Sequence, residues 1–309
     1  MSKKWSVEEK LELHNLYLEH GPKWSEFANQ FNVTPNAARK CFNQTDWEKL
    51  LSNKDRNDSP KILAIDFETT PLKAYTWGPK YETNLLDIFE HTQILSFSCK
   101  WIGGQQITRG WMDYRGYKPG VENERPLIDD LVKLINQAHI IIGHNCKQFD
   151  LKILNARLAF YKIPPLSPLK VVDTKTEAKK YFRLPSYSLD DLCNFFGIPR
   201  KLHHEGFPMW LGCKAGNKKD WQKMLEYNGH DVKIQEILYL RLRPFMKSHP
   251  NIGIFKDGLV CPNCGEDQLK WEGWYRNKTT KYHAFSCKKC GAWGRDTKNV
   301  QKIKPLIAT

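Results

Sequence analysis

Residues 61–247 alternate between strand-like and helix-like patterns of apolar positions. Five short apolar runs predict strands, at KILAIDFE (61–68), ILSFSCKW (94–101), QITRGWM (106–112), HIIIGHN (139–145) and VVDT (171–174). Gly103 and Gly104 between the second and third runs predict a hairpin turn. Amphipathic segments predict helices at 126–138, 149–161, 188–197 and 217–245. A hairpin followed by alternating helices and strands predicts an α/β fold, a mixed sheet flanked by helices.

The first 50 residues predict a separate helical module. SVEE (6–9) is a capping box, and Thr34 followed by Pro35 marks another helix start. Trp5 and Trp24 are followed, at intervals near 19, by Phe42 or Trp47. This pattern resembles a Myb/SANT-like three-helix module, whose tryptophans form the core and whose third helix can enter a DNA groove.

The partner of this module stays open between DNA and protein. Its charges balance at 7 basic against 7 acidic residues, which does not favour DNA. Arg39 and Lys40 are the local basic pair, and they are the predicted nucleic-acid contacts.

Composition limits the class of protein. The 309 residues predict more than one folding unit, with a polar linker at 51–60 that ends in proline. The net charge of +14 favours a polyanionic partner such as nucleic acid. Without a membrane-length apolar run or a signal-peptide pattern at its start, the protein is expected to be cytoplasmic, in a reducing compartment.

Two carboxylates lie at the end of the first predicted strand. Asp66 and Glu68 are two residues apart, so in a strand they project from the same face. Like charges this close resist ionisation unless a cation lies between them, and carboxylate oxygens suit Mg²⁺ or Mn²⁺. The alternative is that Asp66 caps the following turn and Glu68 faces solvent.

Two later motifs favour the metal interpretation. GHNCKQFD (143–150) places Asp150 at a helix start, and YNGHD (227–231) places Tyr227 and Asp231 four residues apart on one helix face. The ordered set DxE, NxxxFD and YxxxD resembles the DEDD 3′–5′ exonucleases of the ribonuclease-H-like (DnaQ-like) superfamily, over residues 61–247. Relatives of this type are common in phage genomes and often end in a cysteine module.

The resemblance implies a two-metal hydrolysis of phosphodiesters. It implies that Asp66, Glu68, Asp150 and Asp231 bind two Mg²⁺ or Mn²⁺ ions and that Tyr227 orients the attacking water. The histidine subclass has its base five positions before the last aspartate, where this chain has Glu226, so the tyrosine subclass is favoured. Gly229 departs from a helix-favouring sequence, because glycine costs about 1 kcal/mol relative to alanine, and it predicts a kink.

Further nucleic-acid contacts are predicted in the loops of this domain. They are Asn145, Lys147, Arg200 and Lys201.

Four of the nine cysteines form two CxxC pairs. They are Cys261, Cys264, Cys287 and Cys290. Two such pairs favour one structural Zn²⁺ over disulfides, and the intervening segment predicts a hairpin, so residues 258–297 resemble a zinc ribbon followed by a tail at 298–309. Its aromatic residues among lysines either contact nucleic acid or fill the small hairpin.

The sequence therefore predicts a 3′–5′ exonuclease, with DNA favoured over RNA and a polymerase or other replication partner. One alternative is an endonuclease or resolvase on the same fold. The other is a non-catalytic DNA-binding accessory protein, which a missing acid would favour.

Overall fold

The computed structural model describes residues 3–47, 60–77 and 85–301. The chain divides into two compact units, residues 1–59 with 254–257 and residues 60–253 with 258–309. Most of the predicted linker (51–60) lies outside the described residues, and so do residues 302–309 of the predicted tail.

The first unit contains three helices. They are α1 (Val7–His20), α2 (Trp24–Gln30) and α3 (Pro35–Gln44). Both predicted caps are present: the Ser6 hydroxyl accepts from the Glu9 amide at 3.1 Å, and Thr34 accepts from the Ala37 amide at 3.2 Å. Trp5, Trp24 and Phe42 pack against a small buried core, as expected of a three-helix module.

The second unit is built on a five-stranded mixed sheet. Its strands are β1 (Ile62–Thr69), β4 (Ile94–Trp101), β5 (Gln106–Gly110), β6 (Ile140–Gly143) and β7 (Lys170–Asp173). The spatial order is β5-β4-β1-β6-β7, with β4 antiparallel to β1 and to β5, and β6 parallel to β1 and to β7. A separate two-stranded sheet pairs β2 (Lys73–Tyr75) with β3 (Asp87–Glu90). The predicted mixed sheet is confirmed.

Helices pack against the sheet and complete two apolar cores. They are α4 (Arg125–Ile135), α5 (Asp150–Phe160), α6 (Thr174–Tyr181), α7 (Leu189–Phe195), α8 (Phe207–Lys214) and α9 (Lys218–Leu242). The long helix α9 contributes to both cores, through Trp221 and Met224 to one and Ile234 and Leu238 to the other. Short 3₁₀ turns follow at Arg243–Phe245 and Ile252–Phe255.

Gly229 does not interrupt the long helix. Helix α9 is continuous across this position. A Cβ here would stand 2.8 Å from Gln106 Nε2 and 3.2 Å from Thr108 Oγ1, so the glycine allows the helix to approach β5 closely.

The C-terminal region of the second unit forms a three-stranded antiparallel sheet. Its strands are β8 (Leu269–Arg276), β9 (Lys281–Cys287) and β10 (Trp293–Arg295), in the order β10-β9-β8. The hairpin predicted between the CxxC pairs is therefore present as β8 and β9. Across the described residues, every helix is too short or too polar to cross a membrane.

Candidate active site

The central strand β1 carries the first two acids. Asp66 and Glu68 lie opposite Ser98 and Ser96 of β4, and the pairing becomes irregular immediately after Glu68. Both carboxylates are half-buried, whereas Phe67 between them is buried on the opposite side. The alternation of the strand thus places both acids on one face.

Helix α9, which lies far from β1 in the sequence, packs beside Asp66 and Glu68. It packs on β1, β4 and β5, and it presents Tyr227 and Asp231 from neighbouring turns of a buried face. Carboxylate oxygens of Asp66, Glu68 and Asp231 lie within 4.8 Å of one another. We call these three residues and Asp150 the acid cluster.

Asp150 reaches the acid cluster from the N-terminus of α5. Its side chain is 4% exposed, and its Oδ1 accepts a hydrogen bond of 2.9 Å from the backbone N–H of Phe67. It is not a member of the group of oxygens within 4.8 Å, but its charge raises the pKa of both Asp66 and Glu68.

Burial and mutual repulsion make these carboxyl groups hard to ionise. Burial is the larger cause in each case, and it raises the pKa of Asp66 well above its usual value, that of Glu68 to about 8 and that of Asp150 to about 7. Burial also raises the pKa of Asp231, against the opposing charge of Lys201. Protons or cations are therefore needed to neutralise the acid cluster near pH 7.

The donor set fits a hard divalent cation. Asp231 Oδ1 is buried and has no hydrogen-bond partner among the described residues, although a buried carboxylate oxygen normally has one. Carboxylate oxygens are the ligands that Mg²⁺ and Mn²⁺ prefer. An unpartnered oxygen within a group of three close carboxylates is consistent with a metal site.

Asn228 is a site residue that the sequence analysis missed. It is fully buried, and its Nδ2 donates to Asp66 Oδ2 at 2.7 Å and to the Asp66 carbonyl at 3.2 Å. Its Oδ1 accepts from Ser96 Oγ at 3.2 Å. The amide therefore fixes the position of the first acid relative to α9 and β4.

Lys201 was predicted as a nucleic-acid contact, and the structure places its ammonium at the acid cluster. Its Nζ lies 2.6 Å from Asp231 Oδ2 and 4.9 Å from the centre of the Tyr227 ring. Burial opposes its positive charge, but the charge and hydrogen bond of Asp231 raise the pKa of Lys201 above its ordinary value. Lys201 thus remains charged and occupies one oxygen of Asp231.

Tyr227 lies beside the acid cluster and is in contact with other aromatic rings. The rings of His204 and Trp210 stand 4.7 Å and 6.3 Å from its ring, both edge-on. Burial and then the Asp231 charge raise the pKa of Tyr227, so its hydroxyl is protonated near neutral pH. His230, the chain neighbour of Asp231, donates from Nε2 to the Arg200 carbonyl at 2.8 Å.

The other predicted nucleic-acid contacts have different surroundings. Arg200 pairs with Asp190, and Lys147 is exposed. Asn145 adopts a left-handed backbone conformation with φ of 67°, and its N–H donates to Asp173 at 3.1 Å. In the first unit, Arg39 and Lys40 are exposed on α3.

The four cysteines of the C-terminal sheet form a second group suited to a metal. Their sulfur atoms lie within 4.8 Å of one another, with Cys261 to Cys290 at 3.7 Å and Cys264 to Cys287 at 3.6 Å. A tetrahedral zinc with Zn–S bonds of about 2.3 Å requires sulfur separations of about 3.8 Å, so the geometry is compatible with Zn²⁺.

Comparisons with known proteins were made for the whole chain. The model of the RNase_H superfamily matches residues 80–243. No curated protein matches the sequence significantly. One similar solved structure is the family B DNA polymerase from the hyperthermophilic archaeon Pyrobaculum calidifontis, with a TM-score of 0.45 and 14% identity. The similarity covers 74% of this chain and 33% of that one, so this chain spans about a third of the polymerase.

Proposed function

Because the chain belongs to the RNase_H superfamily, we propose that it is a metal-dependent nuclease that removes nucleotides from nucleic-acid 3′ ends. The proposed catalytic domain is residues 61–247, between the helical module (1–50) and a zinc ribbon (258–297). DNA is the favoured substrate, and a replication protein is the proposed partner. The tyrosine subclass of DEDD exonucleases is proposed because Tyr227 lies one turn before Asp231 on α9, and because Glu226 occupies the position where the other subclass has its histidine.

One observation carries the proposal. Carboxylate oxygens from β1 and α9, more than 160 residues apart along the chain, lie within 4.8 Å of one another. The α9 carboxylate, Asp231, also has one buried oxygen without a hydrogen-bond partner among the described residues. Such a concentration of buried negative charge is costly unless it binds cations. A structural role alone would not require it.

The side chains have distinct proposed tasks. Asp66, Glu68, Asp150 and Asp231 would hold two Mg²⁺ or Mn²⁺ ions, which supply Lewis acidity to water and to the phosphate when bound. The protonated hydroxyl of Tyr227 would orient the attacking water. Asn228 fixes Asp66, and Lys201 fixes Asp231 through Oδ2, which leaves Oδ1 available.

The test is hydrolysis of 3′-labelled DNA and RNA strands with Mg²⁺ or Mn²⁺. We expect a ladder that shortens from the 3′ end, and we expect Asp66→Ala to abolish it with the fold retained. A matched control is Asp129→Ala, which removes an exposed acid of α4 paired with Arg125. Full activity of Asp66→Ala would refute the proposal, and cleavage of a closed circular strand would favour an endonuclease instead.

A further inference from the structure

A groove lies between the cysteine-bearing sheet and the chain that follows α9. It has a volume of about 1040 Å³, at the upper limit of small-molecule pockets. Its walls carry three large aromatic side chains and two cations. They are Trp274, Tyr275, Trp293, Lys247 and Arg295. None of the described lining residues belongs to the acid cluster, so the groove is a separate feature.

Hydrogen bonds hold the two walls of the groove together. Asn263, in the first CxxC turn, donates from Nδ2 to the carbonyls of Arg243 at 2.9 Å and Met246 at 3.3 Å. The Ile252 amide donates to the Pro262 carbonyl at 2.7 Å. The groove is therefore formed before any ligand arrives, which lowers the ordering cost of binding.

The aromatic side chains are partly open to solvent, although the centre of the Trp274 ring lies 3.9 Å from Lys281 Nζ and 4.2 Å from the centre of the His283 ring. The exposed fractions are 39% for Trp274, 49% for Tyr275 and 66% for Trp293. A bulge in β8, where Gly273 has φ of 69°, shifts the pairing so that Trp274 lies opposite His283. Bulges of this kind redirect side chains near binding sites, and exposed aromatic patches commonly mark interaction surfaces.

The charges of the groove are mainly positive. Lys247 and Arg295 form no ion pair within the described part of the chain. The acidic residue among the described lining side chains, Glu272, is neutralised by Lys270 at 2.5 Å. The Arg295 guanidinium lies 3.9 Å from the centre of the Tyr282 ring and 5.2 Å from that of Tyr275, so a cation stands beside two aromatic rings.

We propose that this groove binds a single-stranded nucleic acid. Bases would stack on Trp274, Tyr275 and Trp293, while Lys247 and Arg295 would contact phosphates. Stacking surfaces combined with a positive groove are how proteins bind single strands without reading their sequence. A duplex keeps its bases stacked inside and cannot use these rings.

The test measures binding of fluorescein-labelled oligothymidylate and oligouridylate of about 15 nucleotides to the full chain, a length within single-strand site sizes. The Asp66→Ala background keeps the probe intact. We expect Trp274→Ala and Trp293→Ala each to weaken binding about 10-fold, and the DNA and RNA arms to show which strand is preferred. We expect Lys247→Gln with Arg295→Gln to reduce the slope of log Kd against log salt by about 0.7 per lost contact.

Matched controls are Phe195→Ala, an exposed ring on α7, and Lys133→Gln, an exposed lysine on α4. Both should bind the strands as the parent does.

With Asp66 intact, the groove variants should hydrolyse a nitrophenyl nucleotide diester at the parental rate, because this substrate is small enough to need the acid cluster alone. Three results would overturn the groove proposal. They are a loss of strand binding in the controls equal to that in the groove variants, unchanged binding in the groove variants, and an affinity of the parent for a blunt duplex equal to its affinity for the single strands. An inactive parent that still binds strands through the groove would instead contradict the nuclease proposal.

Discussion

Asn228 shows how one neutral side chain can determine the geometry of a charged site. Its amide group joins Ser96 of β4 to Asp66 of β1 from a buried position on α9. Sequence motifs identified Tyr227 and Asp231 on either side of it along the same helix. They could not identify Asn228, because its role depends on a contact across 162 residues of chain. The ion pair of Lys201 with Asp231 was not predicted for the same reason, since the fold alone brings the two residues together.

Asn228→Ala should reduce the activity by about 10–100-fold, as losses of hydrogen-bond partners to metal ligands commonly do. The reason is that Asp66 loses its donor and gains freedom to move. A positioning role also predicts that the Mg²⁺ concentration for half-maximal activity rises, and a titration of activity against Mg²⁺ measures this. Asn136→Ala, which changes an exposed asparagine at the end of α4, is the control and should leave that midpoint unchanged. An unchanged midpoint in Asn228→Ala, with activity lost through lower thermal stability, would show a merely structural role.

The acid cluster should also make stability depend on pH in a defined direction. Glu68, with its pKa raised to about 8, and Asp66, with its pKa raised well above its usual value, keep protons in the folded state that the unfolded chain loses near pH 4. Folding stability without Mg²⁺ or Mn²⁺ therefore falls as pH rises from 7 to 8.5. The expected loss is about 1–3 kcal/mol, or about 3–8 °C in Tm. His144 and His249, whose pKa is lowered to about 4, change stability below this window.

Thermal melts at several pH values, with zinc retained and with or without Mg²⁺, measure this effect. Mg²⁺ should raise Tm more at pH 8.5 than at pH 7, because ionised carboxylates bind it. Glu68→Gln should flatten the dependence on pH in the metal-free protein. A metal-free protein that is equally stable at both pH values would contradict the assignment of these pKa shifts.

At the scale of elements, local sequence patterns predicted the strands of the five-stranded sheet, but they did not predict helices α6 and α8. The strands of the five-stranded sheet were recognisable because their apolar runs are bounded by turns. Helix α6 has no counterpart among the predicted helices, although Asp173 caps it by accepting from the amides of Lys175 and Thr176. Helix α8 has a proline in its first turn and Gly212 packed against Asp220 of α9. Its helicity is supported by burial of Met209 and Cys213 in the main core, which a local pattern does not reveal.

Gly229 provides a test of how closely α9 and β5 approach. In a free helix, Gly229→Ala would stabilise by about 1 kcal/mol. Here the new methyl group meets Gln106 Nε2, which donates to the Gly229 carbonyl at 2.9 Å. Displacing this side chain should make the substitution destabilising by about 1 kcal/mol. Denaturant unfolding of a double-mutant cycle measures it: in a Gln106→Ala background the same substitution should become stabilising. An equal effect in both backgrounds would show that the contact with Gln106 does not explain the glycine.

At the scale of the whole molecule, the C-terminal sheet depends on its cysteines in a way that the five-stranded sheet does not. The cysteine cluster includes only Leu269 and Ala292 as further apolar residues, and β9 adds the buried side chains of Ala284 and Phe285. So few apolar residues cannot stabilise three strands, and bound zinc would have to supply the folding free energy. By contrast, the fold around the five-stranded sheet has two extended apolar cores and should form without zinc.

Cys264→Ser should therefore release about one zinc per chain and unfold β8, β9 and β10, while β1 and β4 stay protected. The zinc content of the full chain measures the release of the metal, and hydrogen exchange measures which strands unfold. Cys41→Ser, which changes a half-buried cysteine of the first unit, is the matched control and should retain zinc. Because the groove needs both walls, the loss of zinc should abolish single-strand binding and leave hydrolysis of the small diester intact. If the amides of β8–β10 stay protected in the zinc-free protein, the apolar contacts suffice to fold these strands. If diester hydrolysis is lost, the acid cluster depends on this sheet.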